Sequence, residues 1–360
     1  MRLPDDTAGV PLPGEASGLA LPGDDAQLDS GVPLGTGAAG FPGDGSGGPA
    51  PTVTRTEGQV FAGGSLAARY ASFVKLPHTL FLLPFAGVGA ILASYTHPEG
   101  VTLRAVLWIL VAFAAARFAA MGFNRIVDRR WDALNPRTAA RELPTGRLSL
   151  AQAIGAVSIA ALVFVVAAWQ LNPLCGWLAP VALAWIFFYS FTKRFTHWAH
   201  NVLGFSLAIA PVGAYLAVAG HWSRPWYSLI TLASAVMFWS AGFDIIYSLQ
   251  DVEFDRAHGL YSLPARKGVK KALVLARVFH AHALVFFVVL GVLHRFPVHS
   301  FYMAGVAITT VILFYEHWMV TRHGAEHIDL PVVDRAFFHA NVAVSSMFFV
   351  FTLLDRLLQT

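Results

Sequence analysis

Residues 105–132 read AVLWILVAFAAARFAAMGFNRIVDRRWD, an apolar run that passes without a break into a polar end. The first 19 of these residues contain one charge, Arg117, and their length is close to the ~20 residues that a helix needs to cross a hydrocarbon core of ~30 Å. The last nine residues contain five charged side chains and an asparagine. The stretch therefore predicts a membrane-spanning helix with functional groups at one end.

The rest of the chain repeats this apolar pattern. Of its 360 residues, 56% are hydrophobic and 13% are charged, which is about half the charge of a soluble domain. This composition excludes a water-soluble protein, so we predict an all-α, polytopic membrane protein with nine transmembrane helices in a bundle. The predicted spans are Leu76–Tyr95, Ala105–Phe123, Leu150–Leu171, Leu174–Phe191, Trp198–Ala219, Trp226–Leu249, Ala272–Leu293, Phe301–Val320 and Ala336–Leu354. The single cysteine, Cys175, excludes an internal disulfide and a sulfur-ligated metal cluster.

The first 60 residues differ from the rest. Residues 1–50 contain 12 glycines, seven prolines and seven acidic residues but one base, with no helical or strand period. Because such a segment cannot bury enough apolar surface to offset its ordering entropy, we predict a disordered tail over 1–60 and a transmembrane domain over 61–360. An alternative is that translation begins downstream of this tail. Residues 35–40, GTGAAG, match a dinucleotide-loop pattern, but no strand precedes them, so we do not interpret them as a nucleotide site.

The charges between the predicted spans indicate the orientation of the chain. With the N-terminus inside, 19 Lys and Arg residues fall in cytoplasmic segments and four in external segments. Because basic loops are retained in the cytoplasm, we predict a multi-pass protein of the cytoplasmic (inner) membrane with its N-terminus in the cytoplasm. The net charge of +4 follows from this topology and gives no indication of nucleic-acid binding.

Two acidic motifs occur at the predicted cytoplasmic ends of the second and sixth spans. The residues that define them are Asn124, Asp128 and Asp132 in the first and Tyr247, Asp251 and Asp255 in the second. Within each motif the residues are four apart, so a continuous helix would place them in one stripe. Carboxylates at this spacing repel each other, and hard oxygen ligands suit Mg²⁺, so the stripes predict Mg²⁺ sites facing one compartment. The alternative is that they are ordinary interfacial charges.

Basic residues surround the two motifs. Arg141 follows the first motif, and Lys193 with Arg194 ends the fourth predicted span. Metal ions and bases together would neutralise a diphosphate. Each individual base has an alternative explanation, since topology by itself demands positive charge at these positions.

The two motifs, N-x-x-x-D-x-x-x-D and Y-x-x-x-D-x-x-x-D in a nine-helix membrane chain, resemble the UbiA superfamily of intramembrane prenyltransferases. The likeness covers about residues 73–354 and includes residues 143–146, LPTG. It implies a bundle around a central cavity that opens toward the cytoplasm, where two Mg²⁺ ions bridge a polyprenyl diphosphate. The implied ligands are Asn124, Asp128 and Asp132 for one ion and Asp251 and Asp255 for the other.

The resemblance also implies roles for the remaining candidates. Arg141, Lys193 and Arg194 are expected to bind diphosphate oxygens, and Tyr247 is expected to donate a hydroxyl hydrogen bond to them. The nucleophile would be a carbon of an electron-rich aromatic ring, and the allylic cation would need apolar walls that exclude water.

The acceptor is less well defined by the sequence. Relatives that prenylate 4-hydroxybenzoate resemble one another in an arginine near the start of the first span, where this chain has Lys75 and His78. We predict an aromatic hydroxy acid of the 4-hydroxybenzoate type, prenylated in ubiquinone or menaquinone synthesis. The alternative acceptor is 1,4-dihydroxy-6-naphthoate in the futalosine route. Asp244 is expected to orient or deprotonate the acceptor hydroxyl, with a structural ion pair to Arg117 as its alternative role.

Two further readings of the sequence belong to other functional classes. Acids inside a helical bundle also mark ion pathways, but a secondary transporter predicts inverted repeats, and no comparable repeat is present. The histidines, which include His200, His280 and His317, lack a ligand set that would complete a zinc or haem site. We interpret them as interfacial or packed residues.

Overall fold

The computed structural model describes residues 65–75, 81–97, 99–322, 324 and 330–358. Within these ranges every regular element is helical, which confirms the all-α prediction. The predicted tail over 1–60, with its glycine-rich segment, lies outside the described residues.

The elements follow one another as helices joined by short connections. They are α1 Leu66–Phe73, α2 Leu83–Ser94, α3 Leu103–Leu134, α4 Leu150–Leu171, α5 Pro173–Thr192, α6 Ala199–Ala219, α7 Tyr227–Tyr247, α8 Val252–Ala257, α9 Leu263–Lys267, α10 Val269–Leu293, α11 Phe301–Thr321, α12 Leu330–Arg335 and α13 Asn341–Leu358. A 3₁₀ turn, Ser248–Asp251, joins α7 to α8, and a π-helical turn, Ala336–Ala340, joins α12 to α13.

Side-chain caps set the start of four long helices. Thr102, Ser149, Asn172 and Ser300 precede α3, α4, α5 and α11, and each accepts a hydrogen bond from the backbone N–H three residues later at 2.9–3.2 Å. A cap of this kind satisfies one of the N–H groups that a helix leaves unpaired and contributes about 1 kcal/mol. The first residues of these four helices lie within two positions of the predicted ones.

Eight helical segments of the described chain are long and apolar enough to cross a membrane, which makes this a multi-span membrane protein. The ninth predicted span, Leu76–Tyr95, corresponds to α2, an apolar helix of 12 residues. At 1.5 Å per residue, α2 is about 18 Å long, so it is shorter than the hydrocarbon core. Residues 76–80, which precede it, lie outside the described residues.

Aromatic side chains fill the centre of the bundle. Phe85 of α2 packs against Trp239 of α7, Phe287 of α10 and Phe348 of α13, with ring centroids 4.8–5.9 Å apart. All four side chains have no exposed surface. Each such ring buries a large apolar area, so this cluster fixes the positions of the four helices that carry it.

Small residues allow close helix contacts on either side of α6. A Cβ at Gly89 of α2 would overlap the carbonyl of Pro211 in α6, and a Cβ at Gly204 of α6 would overlap the carbonyl of Met237 in α7. Close backbone approach of this kind is typical of packing inside a membrane, where dispersion contacts replace the hydrophobic effect. It fixes the distance between α6 and α7.

The second acidic motif does not lie on one continuous helix. The α-helix ends at Tyr247, and Ser248 Oγ donates a hydrogen bond to the carbonyl of Ile245 at 2.8 Å. A serine bonded to its own backbone competes with the helical pattern, and the chain tightens into the 3₁₀ turn that ends at Asp251. The second motif therefore runs through a 3₁₀ turn instead of one continuous α-helix, although Arg137 still contacts both Tyr247 and Asp251.

Candidate active site

The first motif lies on the last turns of α3. Asn124 Nδ2 donates a hydrogen bond to Asp128 Oδ2 at 3.1 Å, so the four-residue spacing places these side chains on one face. Asp132 is buried and accepts a hydrogen bond from Arg141 Nη1 at 2.6 Å. Arg125 Nη1 lies 3.9 Å from the other carboxylate oxygen of Asp132. Asp132 is thus held between two guanidinium groups.

Asp251 is bound by the loop that follows α3. Arg137 donates from Nε to Oδ1 at 2.9 Å and from Nη2 to Oδ2 at 2.6 Å, and Asn135 Nδ2 donates to Oδ1 at 3.0 Å. The two-pronged contact matches the planar fork of a guanidinium. Because the same loop also supplies Arg141 to Asp132, it brings both motifs together at one end of the bundle. We call this end, where α3 and α7 finish, the acidic end.

The other predicted bases also lie at the acidic end. Arg194 Nη2 donates to Asp128 Oδ1 at 3.3 Å and to the carbonyl of Val127 at 3.0 Å. Burial by itself would lower the pKa of Lys193, but four nearby carboxylates raise this pKa above its ordinary value. These carboxylates belong to Asp255, Asp251, Asp244 and Asp128. Lys193 therefore carries a positive charge that both motifs share.

Tyr247 connects two bases to the second motif. Its hydroxyl oxygen accepts hydrogen bonds from Lys75 Nζ at 3.4 Å and from Arg137 Nη1 at 3.3 Å. The ring packs on Phe337 with centroids 4.2 Å apart. A phenol hydroxyl can both accept and donate hydrogen bonds.

Asp244 is held by a histidine of the neighbouring helix. Asp244 Oδ2 lies 2.7 Å from His200 Nδ1, and the backbone N–H of Leu263 donates to His200 Nε2 at 3.3 Å. Because Nε2 accepts a hydrogen bond, the imidazole proton is on Nδ1 and is donated to the Asp244 carboxylate. The ion pair with Arg117 considered from the sequence is absent from the described residues.

Asp255 has an unsatisfied oxygen. The residue is buried on α8, and its Oδ2 has no hydrogen-bond partner among the described residues. An unpaired buried carboxylate oxygen is costly, so this position favours a cation. No group of three or more His, Cys, Asp or Glu residues in the described ranges could hold a metal ion by itself. Carboxylate oxygens are ordinary ligands of hard divalent cations, which proteins often bind through one or two carboxylates together with water and substrate phosphates.

A family model described as the UbiA prenyltransferase family matches residues 82–342. The chain belongs to the UbiA prenyltransferase family. Among its relatives is the 4-hydroxybenzoate octaprenyltransferase of Tolumonas auensis, which is 29% identical over 237 residues, or 65% of this chain and 79% of the relative. The chain is accordingly a prenyltransferase with several membrane spans.

Solved structures of other family members share the fold. The apo structure of a UbiA homologue from Aeropyrum pernix K1 is 32% identical, covers 77% of this chain and 98% of its own, and superposes with a TM-score of 0.68. A UbiA homologue from Archaeoglobus fulgidus bound to GPP and Mg²⁺ is 19% identical, covers 80% of this chain and 98% of its own, and has a TM-score of 0.59. These likenesses agree with the helical bundle of this UbiA-family chain.

Sequence reasoning missed three side chains of the UbiA-family site. Asn135 and Arg137 lie in a loop and belong to neither motif, so spacing rules do not single them out. His200 was interpreted as an interfacial or packed residue because the histidines lack a ligand set for a metal, and its partner Asp244 lies 44 positions away. The only sequence signal for Arg137 is its place in the basic segment after the first motif.

Proposed function

We propose that this UbiA-family enzyme transfers a polyprenyl chain from polyprenyl diphosphate to a ring carbon of an aromatic hydroxy acid, of the 4-hydroxybenzoate type, in respiratory quinone synthesis. One observation carries the proposal: a single basic loop binds both carboxylate motifs, through Arg141 to Asp132 and through Arg137 to Asp251. The named activity of the Tolumonas relative and the ligands of the Archaeoglobus structure support this pair of substrates.

The donor diphosphate would bind between the two motifs. The proposed Mg²⁺ ligands are Asn124, Asp128 and Asp132 on one side and Asp251 and Asp255 on the other. When bound, Mg²⁺ supplies positive charge that stabilises the leaving diphosphate. Arg141, Lys193 and Arg194 donate N–H hydrogen bonds to its oxygens, and Tyr247 donates its O–H.

The reaction exchanges one bond for another at the first carbon of the prenyl chain. The allylic C–O bond breaks and its electron pair leaves with the diphosphate, while a ring carbon of the acceptor forms the new C–C bond. The released diphosphate then takes the proton from that carbon, and the ring becomes aromatic again. Asp244, held by His200 at 2.7 Å, accepts the acceptor's hydroxyl hydrogen bond and so increases the electron density of the ring.

Aromatic side chains lie next to this site on its inner side. Phe81, Phe243 and Phe337 pack edge to face with centroids 5.4–5.7 Å apart, and all three are buried. Such walls exclude water, which would otherwise capture the allylic cation. Their π faces also favour a neighbouring cation.

We further propose that the acidic end faces the cytoplasm and that the N-terminus is on the same side of the inner membrane. The support is the charge distribution: the loops at this end carry most of the Lys and Arg residues outside the spans. A diphosphate donor made in the cytoplasm would reach the site directly.

A second acceptor, 1,4-dihydroxy-6-naphthoate, is favoured by one observation. Where 4-hydroxybenzoate-prenylating relatives are expected to have an arginine, this chain has Lys75, whose ammonium donates to Tyr247. Both candidate acceptors are aromatic acids with a hydroxyl group, so the chemistry of the site is the same for both.

The test is prenyl transfer by the purified full-length chain in detergent, with farnesyl diphosphate, Mg²⁺ and each acid supplied separately. We expect a prenylated acid by mass spectrometry with at least one of the two, and none after EDTA. Asp128→Asn and Asp251→Asn should lose at least about 1,000-fold in turnover, while Glu99→Gln, an exposed acid outside the motifs, should match the unmodified enzyme. Transfer that persists in EDTA, or full activity in either Asp variant, would contradict the proposal.

A further inference from the structure

One face of α10 combines exposed bases with exposed valines. Lys270, Lys271 and Arg277 lie near the start of this helix, and all three side chains are exposed. At 100° per residue they fall within an arc of about 120°, and the exposed Val274 and Val278 lie in the same arc. The buried side chains of α10 occupy the opposite face. The exposed face of α10 is therefore basic where the helix begins and apolar further along.

The last turn of α11 lies beside this face. Arg277 Nη2 donates a hydrogen bond to Thr321 Oγ1 at 3.4 Å, which joins the basic part of α10 to the end of α11. The exposed side chains on this part of α11 are Tyr315, Trp318 and Arg322. The rings of Tyr315 and Trp318 have centroids 5.7 Å apart, and the guanidinium carbon of Arg322 lies 5.9 Å from the Trp318 ring. We call these two adjoining exposed faces the α10–α11 surface.

Neither helix supplies an exposed carboxylate to these bases. The sequence has no Asp or Glu between Asp255 and Glu316. Glu316 is fully buried, and its Oε2 lies 3.9 Å from His280 Nδ1 inside the bundle. Topology by itself requires bases at a cytoplasmic end, but it does not require that they share one helix face or adjoin an aromatic pair. The concentrated positive charge of the α10–α11 surface therefore favours an anionic partner.

The length of α10 places the bases at the level of lipid headgroups. The helix has 25 residues and is about 37 Å long, so it exceeds a hydrocarbon core of ~30 Å by more than one turn. Lys270 and Lys271 lie in the first turn, and Arg277 lies about 10 Å further along the axis, from where its long side chain can extend toward the membrane surface. Tyr and Trp side chains are enriched at the same depth. Val285 and Val292, which are exposed on the rest of this face, lie at the level of the acyl chains.

We propose that the α10–α11 surface binds an anionic phospholipid of the leaflet on the side of the acidic end. Arg277 and Arg322 donate N–H hydrogen bonds to the headgroup phosphate, and Lys270 and Lys271 add positive charge beside it. The acyl chains lie along the exposed valines of α10. A phosphatidylcholine headgroup carries the same phosphate together with a positive charge that these bases repel, so the surface selects phosphatidylglycerol over phosphatidylcholine. This site is separate from the proposed donor site and does not depend on prenyl transfer.

The experiment measures lipid binding to the full-length protein in detergent by native mass spectrometry, with phosphatidylglycerol and phosphatidylcholine of identical acyl chains supplied in turn. The unmodified protein should bind phosphatidylglycerol more tightly. Because each base beside an anionic lipid contributes about fivefold in affinity, Arg277→Gln should raise the Kd for phosphatidylglycerol about fivefold. The triple variant Lys270→Gln, Lys271→Gln, Arg277→Gln should raise it about 100-fold, and the Kd for phosphatidylcholine should stay within about threefold.

Arg130→Gln is the matched control, because Arg130 is an exposed base on α3 at the same end of the bundle but outside the α10–α11 surface. It should leave the Kd for phosphatidylglycerol unchanged. The substituted side chains are all exposed, so the thermal midpoint without added lipid should shift by less than about 2 °C in every variant.

Three results would overturn the proposal. The first is equal affinity of the unmodified protein for the two lipids, and the second is an unchanged Kd for phosphatidylglycerol in the triple variant. The third is an equal loss in Arg130→Gln and Arg277→Gln, which would mean that net charge alone attracts the lipid. Inorganic phosphate at the concentration of the lipid should not displace phosphatidylglycerol, because it lacks the acyl chains. Displacement by inorganic phosphate would assign the bases to a soluble anion and contradict a lipid site.

Discussion

His200 and Asp244 form a polar contact of 2.7 Å between α6 and α7, and this contact determines how Asp244 is oriented. Leu263 N–H fixes the imidazole tautomer, and the Nδ1 proton then fixes the carboxylate. A carboxylate oriented in this way can receive an acceptor hydroxyl without reorganising, which is the condition for efficient proton transfer.

Two amide substitutions separate the two hydrogen bonds of His200. In His200→Asn the amide nitrogen lies near the position of Nδ1, so the bond to Asp244 is retained and kcat should stay within about fivefold. In His200→Gln the amide lies near Nε2, so Asp244 loses its donor and kcat should fall about 10- to 100-fold. Steady-state kinetics with the acid that the enzyme accepts checks both values. Equal losses in the two variants would mean that His200 acts only by packing.

Arg137 forms the ion pair with the buried carboxylate of Asp251. Removing one partner of a buried ion pair typically costs about 3–5 kcal/mol, so Arg137→Met should lower the thermal midpoint of the purified protein by about 10 °C. It should also abolish turnover, because Asp251 loses its orientation. Arg130→Met, which changes an exposed base at the end of α3, is the control and should change the midpoint by less than about 2 °C. An equal shift in both variants would contradict the pairing.

At the scale of helices, the contact between α6 and α7 sets the distance between His200 and Asp244. The two backbones approach at Gly204, where a Cβ would overlap the carbonyl of Met237. The helices must therefore separate if any side chain is added there. Because α6 and α7 carry the two members of the pair, this separation would lengthen the hydrogen bond between them.

Gly204→Ala should destabilise the fold and reduce activity for this reason. We expect a loss of about 1–3 kcal/mol, seen as a lower thermal midpoint, together with a lower kcat. Gly155→Ala on α4 is the matched control, because nothing lies within 4 Å of a Cβ at Gly155. Alanine has a higher helix propensity than glycine, so that variant should be neutral or slightly more stable. A stable and fully active Gly204→Ala protein would show that the helices do not need this close approach.

At the scale of the whole molecule, the orientation in the membrane decides which compartment supplies the donor. Cys175 is the single cysteine, so a Cys175→Ser background allows one new thiol to be placed at either end of the bundle. Thr145 is exposed in the loop after α3, next to the acidic end, and His221 is exposed in the loop between α6 and α7 at the opposite end.

Labelling with a membrane-impermeant thiol reagent then reports the orientation. In inverted inner-membrane vesicles Thr145→Cys should be labelled and His221→Cys should be protected, and right-side-out vesicles should give the reverse. Detergent should expose both positions equally, which controls for intrinsic reactivity. Labelling of His221→Cys in inverted vesicles would place the acidic end outside and contradict the predicted orientation.

The sequence by itself determined eight of the nine predicted spans, the all-helical class and the first stripe of oxygen-bearing side chains. These features are local. The length of an apolar run decides whether it can cross a membrane, and residues four apart on a helix are neighbours, as the hydrogen bond of 3.1 Å from Asn124 Nδ2 to Asp128 Oδ2 shows. The loop charges also follow from the chain alone, because they are counted segment by segment.

Only the tertiary structure decided which side chains meet. Arg137 binds Asp251 across 114 positions and His200 binds Asp244 across 44, and neither contact follows from periodicity. The end of α7 at Tyr247 came from a serine bonded to its own backbone. The physical reason is that such partners depend on how closely whole helices pack. Small residues outside the motifs, such as glycine and alanine, set how closely the helices approach.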